Sequence, residues 1–186
     1  YLTGNPSITF FKVIYRRHTN FSMESIQQTF NGDAQPGRRV TCTISRNGDL
    51  IHNTYLQVKL PALDSSKNYV KNVGHALIKS IELEIGGQKI DKHYGDWLDI
   101  WSRLSTPAEK LAGFKNMIGR DDVSGGAFTR DGSGDTILYV PLQFFFCRNV
   151  GLALPLIALQ YHEVKINVDL TSASKLTTDA ATLGDF

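Results

Sequence analysis

The sequence predicts an all-β protein, a jelly-roll β-sandwich with one short helical insertion. Apolar and polar residues alternate along several short segments, which is typical of half-buried antiparallel strands. Turn signals such as Asn47-Gly48 and Gly86-Gly87 separate these segments. The stretch at about 95–119 changes to helical spacing and contains both tryptophans. Because both tryptophans lie in the helical insertion, the chain lacks the Cys–Trp–Cys spacing of an immunoglobulin domain, and a jelly roll is favoured over an immunoglobulin-like sandwich.

Length and composition suit one folded domain. The chain has 186 residues, 41% of them hydrophobic, which is enough for a buried core. Its net charge of +2 argues against a dedicated nucleic-acid binder, whose binding face is normally strongly basic. Cys42 and Cys147 lie far apart and fit no metal-binding spacing, and we interpret Cys42 as a buried free thiol. We see no secretory signal and no apolar run of the ~20 residues that a membrane helix needs.

Residues 1–20 are predicted to form an arm outside the core. Asn5-Pro6 resembles a helix N-cap followed by the proline favoured at the first helical position, so a short amphipathic helical turn is expected after it. We interpret the arm as a segment that docks on a neighbour. Contact with acidic lipid or nucleic acid is the alternative, because basic residues cluster beside the apolar ones. The candidate contact residues are Phe10, Phe11, Arg16 and Arg17.

Residues 21–170 are predicted to form the sandwich. Glu82 and Glu84 share one face of a strand, and we interpret them as a solvated pair that favours solubility. The predicted strands are 21–30, 39–45, 50–60, 81–85, 88–94, one that begins at 135, and 161–170.

The insertion is predicted as two short helices in one long loop over an open end of the sheet. Asp96 is expected to cap the first helix, in which Trp97 and Trp101 lie one turn apart. Thr106-Pro107-Ala108-Glu109 has the pattern of a capping box and predicts the start of the second helix. The Gly-rich residues 121–135 are predicted to form a loop.

The connection between the last two predicted strands is unusually apolar. Phe144, Phe145 and Phe146 follow one another, and Val150–Leu159 is an almost uninterrupted apolar run. An exposed apolar surface of this size normally marks an interaction site. We therefore expect this connection to be covered.

The sequence shows no arrangement typical of an enzyme, and we predict no catalytic residue, metal site or cofactor. A jelly-roll metal enzyme would need a His-x-His pair on a strand, and none occurs. Asp91, His93 and Asp96 come nearest to a ligand cluster, but Asp96 begins the next helix, so we interpret them as a solvated polar edge. No serine lies in a Gly-x-Ser-x-Gly motif.

Two features suggest contacts with sugars. Asn20-Phe21-Ser22 is an N-glycosylation sequon, which makes Asn20 a candidate modification site. Trp97 and Trp101 could line a sugar site, although their spacing of one helical turn favours core or interface anchoring. A carbohydrate-binding jelly roll is therefore the alternative function.

Four segments, at 1–21, 45–51, 75–101 and 141–166, carry the pattern of one known family. The last of them, PLQFFFCRNVGLALPLIALQYHEVKI, is highly specific. The chain resembles the major capsid proteins of nucleocytoplasmic large double-stranded DNA viruses, the group that includes iridoviruses, phycodnaviruses and mimivirus-like giant viruses. The segments follow the family's order and span most of the chain.

The resemblance implies a complete protein with two consecutive jelly rolls, which forms homotrimers of pseudo-hexagonal outline in an icosahedral shell over an internal membrane. This chain would supply the arm and the first jelly roll, with 171–186 as a loop towards the missing C-terminal part. Implied partners are neighbouring capsomers, minor capsid proteins and the internal membrane near the arm, without direct nucleic-acid contact. The implied location is the virion, assembled in the host cytoplasm. Phe144–Phe146 and Val150–Leu159 would then seal the base of the first jelly roll and bury further against the second one or a neighbouring subunit.

Overall fold

A computed structural model of the chain describes residues 7–8, 13–14, 18–61, 67–120 and 136–179. Antiparallel strands and a few helices make up the regular structure of these residues, as the all-β prediction requires. In chain order the strands are β1 (Ser7–Ile8), β2 (Val13–Ile14), β3 (Arg39–Thr43), β4 (Leu50–Ile51), β5 (Tyr55–Leu60), β6 (Lys67–Tyr69), β7 (Ile78–Ile85), β8 (Gln88–His93), β9 (Thr136–Pro141), β10 (Leu154–Pro155), β11 (Val164–Leu170) and β12 (Thr177–Asp179). The helices are α1 (Val73–Ala76), α2 (Gly95–Ser105), α3 (Ala108–Ile118) and α4 (Phe145–Arg148).

The largest sheet has four strands in the order β3-β11-β7-β8, all antiparallel. Strand β11 is central, and its register places Ile166 beside Cys42 on one side and Leu83 on the other. The turn between β7 and β8 is made by Gly86 and Gly87, whose φ angles of 59° and 84° are those that a two-residue hairpin needs. Pairs β5-β9, β4-β10, β6-β12 and β1-β2 form smaller sheets.

The core lies between the inner face of this sheet and the β5-β9 pair. Alternation along each strand turns one set of side chains inward, as the period-2 pattern predicts. Helix α2 contacts β7 and helix α3 contacts β9, and they add Leu98 and Ile118 to the buried residues. The main core cluster contains Val40, Leu56, Ile78, Ile81, Leu83, Leu98, Val140, Leu142, Phe144, Phe146, Leu154, Leu156, Val164, Ile166 and Val168.

The outer face of the same sheet is polar. The interpretation of Glu82 as a solvated side chain is wrong, because this residue is buried on that face. This side chain is only 3% exposed, and its carboxylate lies 2.8 Å from Arg39 Nη2, 2.9 Å from Lys89 Nζ and 2.8 Å from Lys92 Nζ. Hydrogen bonds from Lys92 and Lys89, with a further contribution from Arg39, lower the pKa of Glu82 to about 2. The carboxylate is therefore the centre of an ion-pair network that joins β3, β7 and β8.

Residues 21–30 form no strand, contrary to the prediction. The apolar side chains of Phe21, Met23 and Ile26 are exposed, so no neighbouring strand or core surface covers them among the described residues. After these residues, Asn31 forms an isolated bridge to Thr41 and donates its backbone N–H to the Thr41 carbonyl at 2.7 Å.

The arm also differs from the prediction where it is described. A short antiparallel pair, with Ser7 opposite Ile14 and Ile8 opposite Val13, takes the place of the expected helical turn. The β-branched residues at three of these four positions favour the extended backbone. Asn5-Pro6 lies outside the described residues.

The predicted strand 50–60 is divided by an interruption at 52–54. His52 Nδ1 donates to the Phe146 carbonyl at 2.8 Å, and Leu142 N donates to the Thr54 carbonyl at 2.9 Å. These bonds draw the chain away from a continuous strand. Residues 171–179 are likewise not an unstructured loop, because a 3-10 turn and β12 follow one another there and Leu176 is buried.

Both predicted helices are present, but their caps differ from the prediction. The N-cap of α2 is Tyr94 rather than Asp96, which lies in the first turn. The N-cap of α3 is Pro107, without a side-chain hydrogen bond, so the expected capping box does not form. Gly119 ends α3 with a left-handed φ of 74°.

Candidate assembly surface

The connection between β9 and β11 runs through α4, a 3-10 turn, β10 and a second 3-10 turn. Phe144 and Phe146 point inward, are fully buried and stack with their ring centroids 5.6 Å apart. Phe145 is half-buried and meets Phe146 edge-on at 5.3 Å. Of the three predicted contact residues, Phe144 and Phe146 therefore belong to the core, and only Phe145 keeps part of its surface exposed.

The apolar run after α4 has an inner and an outer side. Leu154 and Leu156 are buried in the core, whereas Val150 and Ile157 are 74% and 73% exposed. Leu152 is also exposed, and so is Leu50, which lies opposite Pro155 in the β4-β10 pair. We call these four exposed residues the connection patch: Leu50, Val150, Leu152 and Ile157.

Hydrogen bonds hold the backbone of this connection in place. Leu156 N donates to the Asp49 carbonyl at 2.9 Å, which ties the run to the loop before β4. Asn149 Oδ1 accepts from Gly151 N at 2.9 Å and begins the first 3-10 turn. Since the buried side chains also anchor it, the patch is presented by a preorganised element, which is what a specific contact surface requires.

Trp97 and Trp101 form a second feature of this end of the molecule. Their rings are half-buried, with centroids 5.8 Å apart, and the Arg148 guanidinium carbon lies 5.0 Å from the Trp101 centroid and 6.0 Å from that of Trp97. Such cation–π contacts stabilise the packing of α2 against α4. Arg148 occupies space at the ring faces that a sugar would use, so the geometry does not favour the carbohydrate-binding alternative.

The structure corrects the interpretation of His93 as part of a solvated edge. Its ring is 5% exposed and meets Phe144 edge-on, with the centroids 4.8 Å apart. Burial lowers the pKa of His93 to about 4, although Asp91 acts in the opposite direction. Asp96 is exposed on α2. Within the described ranges, no three His, Cys, Asp or Glu side chains are close enough to hold a metal ion.

The remaining candidates are on or near the arm. Asn20 is exposed, and its glycosylation stays a prediction. Among the described residues, no helix is long and apolar enough to cross a membrane. Phe10, Phe11, Arg16 and Arg17 lie outside the described residues.

Sequence reasoning missed the exposed apolar side of α2. Ile100 and Leu104 are 50% and 77% exposed, whereas Leu98 is buried. The signal was present in the spacing of Trp97, Ile100, Trp101 and Leu104, which places all four on one side of a helix.

A family model described as "Major capsid protein N-terminus" matches residues 9–184. The chain is 56% identical to the major capsid protein of Pyramimonas orientalis virus, over 98% of this chain and 48% of the relative. It is 53% identical to the major capsid protein of Phaeocystis pouchetii virus, over 91% of this chain and 38% of the relative. The chain thus spans less than half the length of these relatives.

A solved structure described as "PBCV-1 virus capsid, quasi-atomic model" has a similar fold. It matches with a TM-score of 0.71 and 42% identity, over 88% of this chain and 38% of the other. The likeness confirms the predicted jelly-roll class.

Proposed function

Because this chain belongs to the major capsid protein family of large double-stranded DNA viruses, we propose that it is the first jelly roll of a trimeric double jelly-roll capsomer. In this proposal, residues 21–170 form the jelly-roll domain and residues 1–20 the arm. The role is structural rather than catalytic. The observation that carries the proposal is the connection patch, an apolar surface on a preorganised element with no cover among the described residues.

The patch has the properties of an assembly contact. Burying apolar surface contributes about 25 cal/mol per Å², so several large side chains together favour association substantially. Scattered exposed apolar residues are ordinary, but Val150, Leu152 and Ile157 all lie on one short connection whose other half is core. We propose that a second jelly roll or a neighbouring subunit covers them.

Further partners follow from the same proposal. Contacts with neighbouring capsomers and minor capsid proteins would use the arm, including Phe10, Phe11, Arg16 and Arg17, which could also lie near an internal membrane. Many weak contacts suffice in a shell because they act together. The net charge of +2 supports a shell protein without direct nucleic-acid contact. The proposed location is the virion, with assembly in the host cytoplasm.

Charge introduced into the patch tests this function. In the full-length protein, the double substitution Val150→Asp and Ile157→Asp should convert trimers to monomers, because two carboxylates would be buried without partners. Light scattering after size-exclusion chromatography measures the mass. The matched control is Val150→Leu with Ile157→Leu, which keeps the apolar surface and should keep the trimer. If the aspartate variant stays trimeric, the patch is not an assembly contact.

A further inference from the structure

We infer that the exposed apolar side of α2 binds residues 21–26 of a second copy of this chain. The inference rests on the proposed capsid function, in which many copies meet. We call the receiving surface the α2 stripe, formed by Trp97, Ile100, Trp101 and Leu104. The residues that would bind it, 21–26, are called the entry segment.

The α2 stripe is an apolar helix side on which Ile100 and Leu104 are exposed, while Trp97 and Trp101 are half-buried beside Arg148. With about 100° of rotation per residue, its four side chains fall within an arc of about 100°. The side of α2 that meets the core carries Leu98 and Ser102, both buried. A surface helix normally turns its apolar side to the core and its polar side to solvent. This helix has apolar residues on both sides, and the fold of one chain leaves Ile100 and Leu104 on the outer side exposed.

The entry segment is a second unpartnered apolar surface. Phe21 and Met23 are 82% and 71% exposed, and no regular structure includes them. Two hydrogen bonds hold the chain directly after this segment. Gln28 Oε1 accepts them from Ser45 N at 2.9 Å and from Ser45 Oγ at 2.8 Å. The segment is therefore anchored at its end, and its apolar side chains remain outside the core.

The two surfaces lie at opposite edges of the main sheet. The entry segment leads to Asn31, which bridges to Thr41 on β3, one edge strand. Helix α2 follows directly after β8, the other edge strand. Two different patches at opposite edges form a head-to-tail contact, the type that closes into a ring when the rotation between copies allows it. The segment of one copy would thus meet the helix of the next.

Spacing and charge also match. Alternate side chains of an extended segment, such as Phe21 and Met23, lie about 6.6 Å apart, and helix neighbours four residues apart are separated by about 6 Å along the axis. Glu24 is exposed within the segment, and Arg148, whose guanidinium lies over Trp97 and Trp101, is exposed beside the stripe. A carboxylate approaching the stripe would therefore meet a cation.

An anionic lipid surface fits the stripe less well. Helices that lie on such membranes carry Lys and Arg on their polar side. Helix α2 carries Asp96 and Asp99 against the single base Arg103, which is itself paired with Asp99 at 2.9 Å. The charge of the helix therefore favours a protein partner.

Crosslinking between differently labelled copies tests the contact. One full-length variant carries Phe21→Cys and the other Leu104→Cys, and a short bis-maleimide reagent is applied to particles or trimers of each alone and of the two co-assembled. A crosslinked dimer in the mixture, and in neither variant alone, is the expected result. A dimer in the Leu104→Cys sample alone would mean that two stripes face each other, and no dimer in assembled mixtures would mean that something else covers α2. Either result overturns the inference. The wild-type protein measures the background crosslinking from its native cysteines. Of these, Cys42 is buried, and Cys147 is half-buried with its Sγ 3.1 Å from Thr54 Oγ1.

A second measurement covers the case in which the cysteine variants assemble poorly. Leu104→Asp should weaken association of full-length copies by about tenfold, which is the effect of one buried interface anchor. Its thermal unfolding should stay unchanged because the residue is exposed. Leu111→Asp on α3 is the matched control, since Leu111 is an exposed leucine outside the stripe. Equal association of both variants would overturn the inference. Trimer formation by the wild type reports separately on the proposed function.

Discussion

At the scale of single residues, the inward side chains were predictable and the polar partners were not. Val40 and Cys42 are buried on β3, as the alternation predicts. The alternation around Glu82 is the one expected of a solvated side chain. Its partner Arg39, however, lies on another strand, 43 residues away in the sequence. Such a network depends on which strands become neighbours, and a local pattern does not contain that information.

His93 makes stability depend on pH. Burial holds its pKa at about 4 instead of 6.5, and the nearby charges are Asp91, which raises it, and Arg148, which lowers it. The folded state therefore keeps the imidazole neutral, while the unfolded chain takes up a proton below pH 6.5. Stability is complete above pH 6.5 and falls as the pH decreases from 6.5 to about 4.

The variant His93→Leu should reduce this sensitivity but not abolish it, because burial also lowers the pKa of His75 to about 4. Between pH 7 and pH 5, the wild type should lose about 2 kcal/mol more unfolding free energy than the variant loses. Urea unfolding of the full-length protein at both pH values measures the difference. His162→Leu is the control for replacing an imidazole by leucine, because His162 is exposed. Parallel curves for His93→Leu and the wild type would show that His93 is not the titrating group.

At the scale of elements, periodicity predicted α2 and α3 but not what covers each side. The spacing of Trp97 and Trp101 identifies an apolar side of a helix, whether the chain's own core or a partner covers it. Similarly, the apolar residues of 21–30 predicted a strand, but a strand also needs a partner edge. Both deviations occur where the described chain leaves apolar surface exposed.

The position of α2 depends on Gly95. A Cβ added there would lie 2.3 Å from the His75 carbonyl oxygen and 2.4 Å from that of Ile78, both backbone atoms. Gly95→Ala must therefore displace the helix start, and we expect a loss of about 1–3 kcal/mol in unfolding free energy.

Gly113→Ala in α3 is the matched control for that change. Nothing lies within 4 Å of the added Cβ, and alanine is the better helix former, so this variant should gain about 0.5–1 kcal/mol. Chemical denaturation of both variants measures the two effects. A neutral Gly95→Ala would mean that α2 does not approach α1 and β7 so closely.

At the scale of the whole molecule, the described residues form a buried core and leave several large apolar side chains exposed. The residues 144–146 were predicted to contact a neighbour, but Phe144 and Phe146 fill the core, and the exposed apolar surface lies further along the chain at Val150, Leu152 and Ile157. Sequence showed that this connection carries excess apolar surface. Only the fold shows which half the core covers.

The accessibility of Ile157 in the assembled shell shows whether another jelly roll or subunit covers the connection patch. A cysteine at this position, from Ile157→Cys, is compared in intact particles with one from Glu109→Cys on α3, since both positions are exposed in the isolated chain. If the connection patch is an assembly contact, the maleimide should label the Ile157→Cys particles slower by about tenfold or more, as expected of a site excluded from water. Equal labelling rates at the two positions would mean that the connection patch is open in the shell and is not an assembly contact.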